Sequence, residues 1–165
     1  MTTLLLIRHG IAEDYRPGHL DSERALTPEG WRKTRAAMAG LVALGHRPSR
    51  GICSPYRRAL ETMACLKEAA LAADARNAFP VGVWDGLTPD GEPEDAEAWL
   101  RQLMTGAGED EVLAFTSHEP FLSSLIARLT GRRIEVKKAS CTVVAWVEGG
   151  WRFERHCTPS ELRGE

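Results

Sequence analysis

Apolar positions along the chain follow two rhythms that take turns. Thr3–Arg8 (TLLLIR) carries four consecutive large apolar residues, the pattern of a strand buried on both faces. From Thr27 to Leu44 the period becomes helical, and Trp31, Thr34, Met38, Leu41 and Val42 share one face. Thr27 suits the N-cap, Pro28 the first helical position and Gly45 the end. A short strand over Arg50–Ser54 and a helix from Pro55 to Ala73 follow. Val81–Trp84 predicts another strand, then a turn-rich loop and a helix from Pro93 to Met104. Glu111–Ser117 (EVLAFTS) predicts a further strand, with a helix from Pro120 to Leu129. Cys141–Glu148 and Trp151–Cys157 alternate on either side of Gly149-Gly150, which predicts a hairpin.

Strands alternating with longer helices imply an α/β fold in three layers, a mostly parallel central sheet flanked by helices. The C-terminal hairpin adds antiparallel strands. At 165 residues, with no internal repeat, the chain is expected to form a single domain over 1–165. An apolar fraction of 43% beside 27% charged residues fits a folded globular protein rather than a disordered one. The net charge of −2 leaves no global positive field for nucleic acid or an anionic membrane, so an anion site must be local. Cys53, Cys65, Cys141 and Cys157 form no C-x-x-C pair and read as buried thiols in a reducing compartment. No basic segment precedes the apolar run at Leu4–Ile7, unlike a signal peptide, and no stretch approaches the ~20 apolar residues of a membrane span. The expected location is the cytoplasm.

Three of the strands run into related polar residues: Arg8-His9-Gly10, Ser54-Pro55-Tyr56-Arg57-Arg58 and Ser117-His118-Glu119-Pro120. Ligands of open α/β sheets bind beyond the carboxyl ends of the strands. Parallel strands would gather two histidines and two or three arginines there, with helix N-termini beside them. That cluster suits a tetrahedral, multiply charged anion such as a phosphoryl group.

The same segments resemble the histidine phosphatase superfamily, which includes the phosphoglycerate mutases. Arg8-His9-Gly10 resembles its signature, and Leu26-Thr27-Pro28-Glu29-Gly30 its L-T-x-x-G helix start. Ser54 to Thr62 (SPYRRALET) resembles its S-P-x-x-R-A-x-[QE]-T segment, which puts Arg58 at the second phosphate-binding arginine. Ser117-His118-Glu119-Pro120 resembles the segment of the second histidine. The short length, Asp21-x-x-Arg24 and Leu87-Thr88-Pro89-x-Gly91 are most similar to the small SixA-type phosphohistidine phosphatases.

The resemblance implies that His9 accepts the phosphoryl group and that water then releases phosphate, without a metal or organic cofactor. It implies Arg8, Arg58 and His118 as catalytic and substrate-binding groups, with Ser54 and Arg24 as further substrate-binding residues. Neighbouring guanidiniums favour the neutral, nucleophilic form of His9, and the cations can neutralise the equatorial oxygens. The expected partner is a phosphohistidine carrier protein or a small phosphorylated metabolite, with no nucleic acid and no membrane. Many family members carry a glutamate proton donor where this chain has Gly86. Asp21, Asp85, Glu92, Asp90 and Glu13 are the candidate substitutes. An N-phosphorylated substrate would suffer least from a weak acid, because imidazole itself protonates near neutral pH.

Arg57 should point about 100° from Arg58 on the helix. Arg132-Arg133 and Lys137-Lys138 read as solvated charge, and His19, His46 and His156 as surface residues. Cys53 and Arg58 are separated by four residues rather than the five of a cysteine phosphatase loop. Ser54 lacks a G-x-S-x-G elbow, and no zinc motif is present. The alternatives to a phosphohistidine phosphatase are a small-molecule phosphomonoesterase on the same scaffold and a catalytically weak phosphate-dependent binding module.

Overall fold

The computed structural model describes residues 1–108 and 110–165. Its strands are β1 (Thr2–Arg8), β2 (Arg50–Cys53), β3 (Val81–Val83), β4 (Val112–Ser117), β5 (Cys141–Val147) and β6 (Gly150–Cys157). Its helices are α1 (Pro28–Ala43), α2 (Arg57–Ala73), α3 (Pro93–Gly106), α4 (Phe121–Thr130) and α5 (Pro159–Arg163). The strands form one mixed sheet in the order β3-β2-β4-β1-β5-β6. The first four of these are parallel, and β5 and β6 join antiparallel.

Alternation along each strand builds the two faces. Leu5 and Ile7 of β1, with Ala114 of β4, face α1, α2 and α5, where Met38, Leu41, Met63, Leu66 and Leu162 complete the core. Leu4, Leu6, Leu113 and Phe115 face α3 and α4, against Leu100, Leu122 and Ile126. The continuous apolar run of β1 thus reflects burial on both faces, as expected for a central strand. No helix is long and apolar enough to cross a membrane among the described residues.

Two helices start later than the sequence pattern suggests, and for local reasons. Ser54 Oγ accepts the Tyr56 N–H at 3.2 Å, so Ser54-Pro55 forms a turn and α2 begins at Arg57. Pro120 occupies the N-cap of α4 rather than its first turn, and Glu119 Oε1 accepts the Ser123 N–H at 2.7 Å. The sequence pattern did not reveal α5. It is set by a capping box: Thr158 Oγ1 accepts from Glu161 N at 3.2 Å and donates to Glu161 Oε1 at 2.9 Å. His19 is exposed as expected, whereas His46 and His156 are half-buried rather than surface groups.

Helix α5 sits so closely on α1 that a Cβ at Gly40 would lie 1.7 Å from the Leu162 carbonyl oxygen. The overlap is with backbone and cannot be relieved by a rotamer change. Gly40→Ala is therefore expected to destabilise the fold by about 1–3 kcal/mol, the usual cost of overpacking. Urea denaturation measures this directly, and an unchanged midpoint would mean that α5 is not seated on α1.

Candidate active site

Strand register sets the site. Arg8 pairs with Ser117 across β1 and β4, so His9 and His118 leave neighbouring parallel strands side by side. The His9 N–H donates to the Ser117 carbonyl at 3.1 Å, and the two imidazole centroids are 5.1 Å apart. Beyond His9 the chain passes close to α1 and α2. The Gly10 N–H donates to Thr62 Oγ1 at 3.0 Å, and a Cβ at Gly10 would lie 2.0 Å from Thr34 Oγ1. Only glycine fits that approach.

This path aims the Gly10 carbonyl at the His9 ring, 2.7 Å from Nδ1. A carbonyl oxygen only accepts, so Nδ1 carries the proton and Nε2 keeps its lone pair. His9 is 6% exposed. Burial first, then the charges of Arg58, Arg8 and Lys138, outweigh the Gly10 hydrogen bond and hold its pKa down to about 3. His118 is held at about 2 by burial, then by His9 and Arg58. Its Nε2 lies 2.7 Å from Ser54 Oγ, the Tyr56 ring stands edge-on at 5.1 Å, and its buried Nδ1 has no partner.

The arginines are held in different ways. Arg8 donates from Nη1 to the Val136 carbonyl at 2.9 Å. Arg58, 3% exposed, donates to the Asp21 carbonyl at 2.8 Å and to Asp21 Oδ2 at 3.1 Å. The buried Nε of each lacks a partner. Burial lowers the pKa of both; Glu119 opposes this at Arg8, and Asp21 opposes it at Arg58. Arg24 donates to Asp21 Oδ1 and to the Glu13 carbonyl, both at 2.7 Å. Arg57, as its helical position suggests, turns outward and pairs with Glu61 at 3.3 Å. Glu61 also accepts the Leu26 N–H at 2.8 Å, which ties the start of α1 to α2.

These groups line a cleft of about 230 Å³ formed by Arg8, His9, Ala12, Arg24, Arg58, His118, Glu119 and Lys138. A larger groove of about 530 Å³ runs beside α4, between Ser123, Ser124 and Ala127 and the segment Arg133–Glu135, and contains none of the histidines. Chemistry rather than size marks the site. Of the residues singled out in the sequence, Arg8, His9, Arg24, Arg58 and His118 meet in the cleft, and Ser54 backs His118.

The candidate proton donors are placed differently. Burial raises the pKa of Asp21, but hydrogen bonds from Arg24 and Arg58 outweigh that and leave it below the usual carboxylate value. Asp85 lies in a 3-10 turn, Glu92 precedes α3, and neither lines the cleft. At Gly86 a Cβ would be 2.3 Å from the Trp84 ring, which stacks on Trp99 at 3.9 Å. A glutamate at that position would have to displace the indole.

Two cleft residues were missed in the sequence. Lys138, read as solvated charge, is exposed but reaches the cleft because the Ala139 N–H donates to the carbonyls of Arg8 at 3.0 Å and His9 at 3.2 Å. No local pattern encodes that long-range contact. Glu119 carries a local signal, its place beside His118 in the third strand-end motif, although that motif by itself assigns it no role. No group of three or more His, Cys, Asp or Glu poised to hold a metal occurs among the described residues.

A model of the histidine phosphatase superfamily (branch 1) matches residues 4–110. Among solved structures, protein histidine phosphatase SixA complexed with tungstate is similar at TM-score 0.82 and 24% identity, covering 97% of this chain and 99% of that one. A protein from Agrobacterium tumefaciens provisionally assigned as phosphohistidine phosphatase SixA gives TM-score 0.77 at 17% identity, covering 95% and 97%. A phosphoserine phosphatase mutant from Entamoeba histolytica in complex with phosphoserine gives 0.72 at 16%, covering 98% and 100%. No curated protein sequence matched the chain.

Buried neutral imidazoles make stability depend on pH. Folded His9, with a pKa of about 3, refuses the proton that an unfolded histidine takes up near 6.5. Its contribution is intact above pH 6.5 and is lost progressively as pH falls toward 3. Between pH 7 and pH 5, wild type should therefore lose about 2 kcal/mol more than His9→Ala, read from urea unfolding at each pH. Parallel losses would mean that folded His9 titrates normally.

Proposed function

The chain belongs to the histidine phosphatase superfamily, and from that premise we propose that it is a phosphohistidine phosphatase working through His9. The observation that carries this reading is the 2.7 Å contact from His9 Nδ1 to the Gly10 carbonyl. It leaves Nε2 unprotonated in a cleft that four cationic side chains line. In the first step Nε2 attacks phosphorus in line, the P–Nε2 bond forms, and the bond to the leaving group breaks. Nδ1 keeps its proton throughout, so the intermediate is a phosphoimidazolium. Water then attacks phosphorus, neutral His9 departs, and phosphate leaves carrying both protons of the water.

The remaining groups stabilise charge. The free Nε–H groups of Arg8 and Arg58 and the unpartnered Nδ1 of His118 are buried polar atoms that phosphoryl oxygens would satisfy. Ser54 Oγ already accepts from Tyr56, so its own proton can go to His118 Nε2, leaving Nδ1 as a donor. Arg24 and Lys138 add positive charge at the cleft. Arg58 is preset by Asp21, which fixes the guanidinium before substrate arrives.

An N-phosphorylated substrate is favoured because its leaving group needs little help. Asp21 is held ionised by two arginines, and position 86 carries no carboxyl group. The likeness to SixA points the same way. The likeness to a phosphoserine phosphatase supports a second reading, hydrolysis of a small phosphate ester. Four buried, unpaired cysteines agree with a reducing compartment, and the cytoplasm is the proposed location.

The decisive assay compares phosphate release from a histidine-phosphorylated carrier protein with release from p-nitrophenyl phosphate. Preference for the carrier supports the reading, and preference for the ester moves the function to small-molecule phosphatase. His9→Ala should abolish both activities while changing stability at pH 7 by no more than about 1–2 kcal/mol. Arg58→Ala should cost about 3 kcal/mol or more of transition-state stabilisation, measured as kcat/KM. Wild-type rates in either variant would refute the assignment of these residues.

A further inference from the structure

One carboxylate faces the cleft, and the mechanism above gives it no task. Among the described residues lining the cleft, Arg8, Arg24, Arg58 and Lys138 are cationic, and Glu119 alone is acidic. Glu119 directly follows His118 in the β4–α4 connection. Its Oε1 accepts the Ser123 N–H at 2.7 Å, which anchors the carboxyl group on the first turn of α4 and leaves Oε2 without a protein donor among the hydrogen bonds described. The side chain is half-buried and close enough to Arg8 to oppose the loss of that guanidinium's proton. A fixed carboxylate beside a phosphoryl site is a cost for binding an anion, since it repels the substrate. It becomes an advantage when the group that carries the phosphoryl in the bound substrate is a cationic ring.

We propose that Glu119 selects imidazole leaving groups, its free oxygen accepting a hydrogen bond from the protonated ring of a phosphohistidine substrate. This inference rests on the phosphohistidine reading and deepens it. Phosphohistidine leaves most readily with its second ring nitrogen protonated, because neutral imidazole then departs. The N–P bond breaks as the P–Nε2 bond to His9 forms, and the proton stays on the departing ring. No acid is consumed, so Glu119 acts as a carboxylate and not as a proton donor. It holds the substrate ring in the cationic form through a charge-assisted hydrogen bond. An ester leaving group is treated in the opposite way. Negative charge developing on a phenolate or alkoxide oxygen would be repelled by the same carboxylate.

The groups facing Glu119 come from every wall of the cleft. Arg8 and His9 come from the end of β1, and Arg24 from the segment before α1. Arg58 belongs to α2, His118 precedes Glu119 in the chain, and Lys138 belongs to the α4–β5 segment. The three arginines are engaged with Val136, Asp21 and the Glu13 carbonyl, so Glu119 is not already saturated by them.

Glu119→Gln separates this role from helix capping, because glutamine can still accept the Ser123 N–H but carries no charge. The assay measures kcat/KM on phosphoimidazole and on p-nitrophenyl phosphate, with the thermal midpoint reporting that the variant is folded. The expected result is a fall of about tenfold on phosphoimidazole, the scale of one charge-assisted hydrogen bond, and a rise on p-nitrophenyl phosphate. An unchanged ratio between the two substrates, whether both rates fall or neither does, would overturn the proposal and leave Glu119 as a helix cap. Wild type that cleaves the ester but not phosphoimidazole would overturn the phosphohistidine reading itself, and this inference with it. The two failures are therefore distinguishable, since the first appears in the variant and the second in wild type.

Discussion

The hydrogen bond from His9 Nδ1 to the Gly10 carbonyl governs the site, and much of the fold can be traced to it. That bond fixes the tautomer, and the tautomer decides whether Nε2 is a nucleophile or a blocked N–H. It requires residue 10 to pass where a side chain would strike Thr34. It also requires the Gly10 N–H to be held by Thr62, whose own hydroxyl donates to the Arg58 carbonyl at 2.8 Å. His9, the proposed nucleophile, and Arg58 are therefore registered through one threonine. Both helices are in turn seated on the face of β1 that presents Leu5 and Ile7, so core packing reaches the His9 ring in a few steps.

Electrostatics imposes the second constraint. The chain carries a net charge of −2, yet the cleft collects four cationic side chains and one carboxylate. Such a collection is tolerable because most of its members are hydrogen-bonded from outside the cleft or stay neutral. Asp21 bridges Arg24 and Arg58, the Val136 carbonyl takes Arg8, and the imidazoles stay neutral through burial. Asp21 is accordingly more valuable as an anchor than as an acid. The pairing that holds Arg58 in place is the same pairing that keeps the carboxyl ionised.

How much of this the sequence could reveal depended on the range of each interaction. The four-residue apolar run of β1 and the Thr27-Pro28 start of α1 are local signals that the structure has, and the expected hairpin forms too, one residue earlier, turning at Glu148-Gly149 with Gly150 already in β6. His9, Arg58 and His118 were legible because each stands inside a motif at a strand end or helix start. The 158–161 capping box was equally local, and the helix it starts was nonetheless missed. Lys138 was not legible, because its place depends on Ala139 reaching back to β1 across the sheet. The absence of a carboxylate at Gly86 was readable, but its cause was not. Only the three-dimensional arrangement places the Trp84 indole, stacked on Trp99, where that side chain would go.

That stack also bears on which side of the cleft can assist a leaving group. Leu87 is buried, and its carbonyl accepts the Ser117 hydroxyl at 2.6 Å, so the β3–α3 connection is pinned to the end of β4. Within the same connection, a Cβ at Gly91 would sit 2.3 Å from the Gly86 carbonyl. Asp85 and Glu92 belong to this connection, are exposed and do not line the cleft. The α4 side is different, because Glu119 is already present there, oriented by a backbone N–H rather than by a competing arginine. Asp21, the other carboxylate beside the arginines, is held below the usual carboxylate value by hydrogen bonds from Arg24 and Arg58, which makes it a poor acid. A site built this way is poorly suited to protonating an alkoxide. On the proposed reading the leaving group arrives with its own proton, as imidazole can near neutral pH.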